Sequence, residues 1–333
     1  MKEVHSTMAL QQFVCCFTVL IIFLCKGSEQ LTCGTALKNN RIIGGQDATS
    51  GSWPWHALVN YLYGGTLITD QWVLTAASIT PLVSSNVYLG RYTLSGLNPN
   101  EVTRTVEEVT CHPNYNDLTL ENDICLLKLS APVNFTDYIR PICLASENST
   151  FNSDTISWAI SFFSQTEYDS EFTPVQQEVN LPIVGNSECI KTYSDPVLES
   201  AIKNGICAGA VGKTPCSFDE GGPLMTKKES VWVQSGVLSF TSCKGLGLYT
   251  RVSRYQKWIN DTVTGTPPGF VTVTSSTSPL SATAPPTLPP TAPTTVICQS
   301  VFCCGENLIH FTHFTSLCAL VVLLHIFAGI GGT

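Results

Sequence analysis

The sequence predicts an all-β domain closed by a single helix, lying between residues 42 and 263 of a 333-residue chain. Three observations carry this. Runs such as HALVNYLYGGTLI, QWVLTAA, NVYLG, DICLLKL and VWVQSGVLSF are short and rich in aliphatic and aromatic residues, and Gly, Asn, Ser and Pro separate them, as in strands joined by turns. No self-similarity with a period of roughly 20 to 50 residues suggests a propeller or solenoid. Only RVSRYQKWINDTV, with Val252, Tyr255, Trp258 and Ile259 on one face, has helical spacing.

The flanks are legible from composition. Lys2 and the apolar run FVCCFTVLIIFL, followed by Gly27 and Ser28, read as a secretory signal peptide over residues 1–27. The run falls short of the roughly 20 apolar residues that span a bilayer. Residues 28–41 form a propeptide. From Thr264 to about residue 297 threonine, proline and serine dominate, the composition of an extended, O-glycosylated stalk with no core of its own. Residues 298–333 end in FTSLCALVVLLHIFAGI with no Lys or Arg beyond it. That absence argues against a spanning helix, which keeps cations on its cytoplasmic side. With small residues between Ser300 and Gly305, it fits a glycolipid (GPI) anchor signal at the outer face of the plasma membrane. A C-terminal membrane helix is the alternative. The net charge of -8 gives no basic footprint for nucleic acid. An extracellular route licenses disulfides, and the sequons at Asn134, Asn148 and Asn260 agree with a secreted glycoprotein.

Short motifs then narrow the fold. RIIGG at 41–45, WPW at 53–55, WVLTAA at 72–77, NDICLLKL at 122–129, RPICL at 140–144, ICAG at 206–209, CSFDEGGPL at 216–224 and LYTRVSRYQKWI at 248–259 occur in this order. The series resembles the trypsin-like serine endopeptidases, closest in layout to the membrane-anchored branch that includes prostasin and testisin. The resemblance implies two six-stranded antiparallel β-barrels with a cleft between them and a C-terminal helix. It also implies cleavage after Arg41, freeing Ile42 to pair with Asp219.

The mechanism of that family needs a serine nucleophile, a histidine base and a buried aspartate that orients the imidazole. Asp123 matches the aspartate, but Ser78 stands at the base position and Glu220 at the nucleophile position. Phe218 replaces the glycine whose amide lines the oxyanion hole, where a side chain disfavours the turn. Loss of nucleophile or base alone costs about a millionfold in turnover, and a missing oxyanion donor removes about a further 10² to 10³. The other histidines of the domain, His56 and His112, lie outside the TAAS loop. The specificity pocket has drifted too. Thr214 stands where an aspartate would select Lys or Arg, and Thr241 replaces a glycine at the pocket mouth, while Ser239 and Gly247 match.

The expectation is therefore an inactive homologue acting by protein binding, its partner a protease, a protease inhibitor or a surface ligand. One rival is an active serine endopeptidase. The other is a carboxylate-dyad hydrolase in which Asp123 and Glu220 share a proton. No cofactor is expected and no metal, since two carboxylates without histidine make a weak site. Eight cysteines in the propeptide and domain leave the pairing open by sequence alone. The resemblance pairs Cys33 with Cys143, Cys189 with Cys207 and Cys216 with Cys243, and implies a further bridge between Cys111 and Cys125. Two family bridges are missing as whole pairs, Tyr63 with Ile79 and Ser157 with Thr226 standing in their places.

Overall fold

A computed structural model describes residues 33–39, 46–82, 86–162, 174–209, 219–241 and 245–274. The first barrel closes in the order β2-β3-β4-β7-β6-β5, with β2 (His56–Val59), β3 (Tyr63–Leu67), β4 (Trp72–Thr75), β5 (Asn86–Leu89), β6 (Val102–Cys111) and β7 (Cys125–Leu129), every pair antiparallel. The second is built from β9 (Ile156–Ser161), β10 (Gln177–Val184), β11 (Ile206–Ala208), β14 (Gly247–Arg251), β13 (Val231–Thr241) and β12 (Pro223–Lys228). It closes because β12 pairs with both β9 and β13. β1 (Gln46–Asp47) pairs with β10, and β8 (Cys143–Ala145) lies parallel to β13. Closure leaves no free edge among the barrel strands, so every short β-branched run finds partners on both sides.

Hydrophobic burial holds the two barrels together through tryptophans drawn from both. Trp53 and Trp55 precede β2, Trp158 lies on β9 and Trp232 on β13, with ring centroids 4.8 to 6.4 Å apart. The indole nitrogens are satisfied within the core. Trp53 Nε1 donates to Glu178 Oε2 at 2.8 Å and Trp55 Nε1 to Met225 Sδ at 2.9 Å. This gives the WPW motif its role as the stitch between the barrels.

The single predicted helix is a 3-10 turn, Val252–Tyr255, running into α3 (Gln256–Thr262). Ile259 is fully buried, and Tyr255 and Trp258 stack edge-on against His112. Two helices were not foreseen: α1 (Asn186–Tyr193) and α2 (Glu199–Asn204). They are short, and tertiary contacts hold them. Cys189 on α1 is bridged to Cys207 on β11, and Ala201 and Ile202 of α2 pack against it.

A second correction concerns the start of the stalk. Residues 264–274, assigned to it by composition, lie against the second barrel, where β15 (Phe270–Val271) extends the sheet parallel to β8. Leu144 and Ser146 donate to Gly269 O and Val271 O, Thr150 donates to Val273 O, and Lys228 Nζ donates to Thr272 O at 2.7 Å. Val273 is buried beside the Cys33–Cys143 bridge. Ahead of β1, Gly34 N donates to Pro141 O and Trp232 N to Gly34 O, so residues 33–39 are tied to β13 and to the chain entering β8.

Cys111 and Cys125 face each other across the β6–β7 ladder and are bridged, the third disulfide among the described residues. Where two bridges are absent, other contacts fill the space. Ser157 Oγ and Thr226 Oγ1 hydrogen-bond at 3.1 Å inside the second barrel. Tyr63 and Ile79 are buried in the main hydrophobic cluster.

Candidate functional site

Asp123 lies at the seam of the barrels, just before β7, with no exposed surface. The residues before it are held in an unusual local conformation. Leu120 and Asn122 have φ of 57° and 56°, and Asn116 Oδ1 accepts from the Leu118 and Thr119 amides. Tyr255 Oη donates to Asn122 Oδ1 at 3.1 Å, which ties this loop to the C-terminal helical segment.

Ser78 sits opposite, after β4. Its amide donates to Asp123 Oδ1 at 2.8 Å and its hydroxyl to Asp123 Oδ2 at 3.0 Å, so one residue engages both carboxylate oxygens. Burial lifts the Asp123 carboxyl above its ordinary pKa. Hydrogen bonds from the Ser78 amide, the Ser239 hydroxyl, the Ser78 hydroxyl and the Ala77 amide pull it back toward ionisation. Thr250 completes the shell. Its hydroxyl donates to the Asp123 carbonyl at 2.8 Å and lies 2.9 Å from Ser239 Oγ. Thr250 was not singled out in the sequence, because its partner is 127 residues away and only the LYTRV motif marks its place.

Glu220 enters the site through a tight turn that only glycine can follow. Gly221 has φ of 85°, and a Cβ there would lie 2.2 Å from Thr75 Oγ1 and 2.3 Å from Gly64 O. No residue with a side chain fits, which explains the paired glycines after Glu220. Gly64 is equally constrained, since a Cβ would come within 2.6 Å of Gly222 Cα, and its amide donates to Glu220 O at 3.0 Å. The Glu220 backbone is thereby fixed where the two barrels touch. Its charge acts on Tyr63, whose phenol is raised in pKa by burial and then by Glu220.

The remaining predicted positions divide by location. Asp219 is buried, and its charge contributes to a strongly raised pKa at Tyr249, whose main cause is complete burial. Ser239 and Thr241 are buried on β13, and Gly247 lies under the Tyr249 ring, where a Cβ would be 2.7 Å from the ring edge. Asn134, Asn148 and Asn260 are all exposed. Arg41, Ile42, Thr214, Phe218 and the Cys216 and Cys243 pair lie outside the described residues. Among the described residues no cluster of three or more His, Cys, Asp or Glu side chains could hold a metal ion.

Two closed six-stranded antiparallel barrels with a buried aspartate at their seam define the architecture of the trypsin-like serine proteases. A family model described as Trypsin matches residues 42–259, and the chain belongs to that family.

Proposed function

We propose that this chain is a catalytically inactive member of the trypsin family that acts by binding protein at the cell surface. The observation that carries the reading is the double engagement of Asp123 by Ser78. In the family mechanism the aspartate accepts from an imidazole that in turn takes the nucleophile's proton. Here its two oxygens receive the amide and hydroxyl of a serine. A serine hydroxyl with a carboxylate as base is a poor nucleophile, because even a carboxyl raised by burial remains far more acidic than an alcohol and hardly accepts its proton. Glu220 brings a carboxylate to the nucleophile position, which cannot form the family's acyl intermediate by serine attack.

Engagement of both Asp123 oxygens by Ser78 favours binding over a carboxylate dyad. The influences on Asp123 are burial and its hydroxyl and amide donors, while the Glu220 charge bears on Tyr63. A shared proton would require the two carboxyls to face each other. Secretion, the GPI anchor and a layout like prostasin and testisin belong to this reading, and the sequence pattern supports them. The partner is a protease, a protease inhibitor or a surface ligand. The experiment is labelling of the mature protein with a fluorophosphonate probe after trypsin cleavage at Arg41. Background labelling supports the binding reading. Stoichiometric labelling of a serine at the seam overturns it.

A further inference from the structure

The chain holds three N-glycosylation sequons, at Asn134, Asn148 and Asn260, and the fold brings all three to the segment that leaves α3. Asn260 lies on α3 itself, four residues before Thr264. Gln256 stands one turn earlier on the same helix face, about 6 Å along the axis. Its Oε1 accepts from the Glu147 amide at 2.7 Å, which sets Asn148 beside that face. Asn148 also precedes Ser149, whose hydroxyl accepts from the Val273 amide at 3.0 Å. From β4 comes the third approach. Val133 N donates to Asp70 O, and Trp72, two residues after Asp70, donates its indole N–H to Thr264 O at 3.1 Å, so Asn134 flanks the start of the segment.

Between these asparagines the segment has one weak stretch. From Gly269 to Val273 its backbone is held by hydrogen bonds to β8 and the residues after it. Thr264, Gly265, Thr266 and Pro267 are exposed, and Gly265 has φ of 83° with nothing within 4 Å of the place a Cβ would take. Exposed tips of small and polar residues are where endopeptidases nick folded domains. No Lys or Arg follows Lys257, so a protease specific for basic residues finds no site in this stretch, whereas one that accepts small neutral residues does. After such a cut the downstream chain would be held by the docking of β15 and Val273 alone.

We propose that N-glycans on Asn134, Asn148 and Asn260 form a collar over residues 264–267 that shields this junction from endoproteolysis and so keeps the domain on its stalk. A protease must seat an extended stretch of chain in its cleft, and a bulky, solvated glycan above that stretch blocks the approach. Three sequons from separate parts of the chain converge on four exposed residues, while the loops that carry Ser78, Asp123 and Glu220 contain none. The inference rests on the secreted, stalk-borne part of the proposed function and not on catalytic inactivity, so glycan shielding and active-site labelling can fail separately.

The test uses the full-length protein expressed in animal cells, with glycan occupancy at the three asparagines read by mass spectrometry. Timed digestion with a protease of broad specificity then compares three samples: wild type, wild type trimmed after folding by an endoglycosidase to a single sugar per site, and Asn134→Gln combined with Asn148→Gln and Asn260→Gln. The expected result is occupancy at all three sites. Cutting within residues 264–267 should be faster by about tenfold or more in the trimmed protein and in the triple variant, with the unfolding midpoint and cutting elsewhere unchanged. The trimmed sample has already folded, so its result stands even where the triple variant fails to fold. Occupied sites with an unchanged rate of cutting after trimming, or an acceleration spread over the whole domain, overturn the collar alone. Absence of glycan at the three sites overturns both the collar and the secretory part of the proposed function.

Discussion

His56 makes the folded protein sensitive to acid, and the effect can be worked out before any measurement. The side chain is 3% exposed on β2, beside Thr66 across the ladder and 6.0 Å from the Phe162 ring, and its Nε2 has no hydrogen-bond partner among the described residues. Burial lowers its pKa from 6.5 to about 4. The folded state therefore holds the imidazole neutral where the unfolded chain is already protonated. The stability it contributes is complete above pH 6.5 and is lost as pH falls through that value toward 4. For a single site the loss is about 2 kcal/mol at pH 5 and about 3 kcal/mol at pH 4.

The raised Asp123 carboxyl works in the opposite sense, since its proton is held more tightly in the folded state. The informative quantity is accordingly the difference between wild type and His56→Leu in urea midpoint, measured from pH 7.5 to 4.5. At pH 7.5 the substitution removes an unsatisfied polar atom, and stability should be unchanged or slightly higher. At pH 5 the variant should be the more stable by about 2 kcal/mol. Parallel pH profiles for the two proteins would falsify the assignment of a neutral, depressed His56.

Three further outcomes follow from contacts described above. Ser157→Ala leaves Thr226 Oγ1 unpaired in the second barrel and should cost about 1 to 2 kcal/mol, with Ser157→Ala combined with Thr226→Val recovering most of it in a double-mutant cycle. Gly221→Ala forces a side chain at φ of 85° into Thr75 Oγ1, a loss of about 4 kcal/mol or more that should show as failed secretion. Deleting residues 264–274, with the downstream tail joined directly to Val263, removes β15 and the buried Val273. That should lower the denaturation midpoint by the equivalent of about 2 to 3 kcal/mol.

The sequence and the structure agree where a motif carries its own local reason, and part where a partner is distant. The CSFDEGGPL run was readable as a family motif, and the structure supplies the reason for its Gly221, a positive φ and a close backbone contact that admit no side chain. The strand runs were readable from apolar texture, and WPW only as a motif of the family resemblance. The α1 and α2 helices were not, since NSECIKTY and ESAIKN are short and weakly amphipathic, and the Cys189–Cys207 bridge and its apolar cluster supply what propensity does not. Residues 264–274 were hidden by composition. Threonine and proline surround Phe270, Val271 and Val273, yet those three dock beside β8. At the site, motif order placed Ser78, Asp123 and Glu220 near one another. Only the fold revealed that Ser78 bonds both oxygens of Asp123 and that Glu220 bears on Tyr63.

The measurement that tests the central claim most directly is cleavage of a broad peptide library by the mature protein, cut after Arg41, across pH 4 to 8 (a range of about four units chosen to span carboxylate and histidine titration). Wild type is compared with Glu220→Ala and Asp123→Asn. The account predicts no turnover above either variant at any pH. Cleavage that disappears in Glu220→Ala or Asp123→Asn would contradict it and assign these two carboxylates a catalytic role.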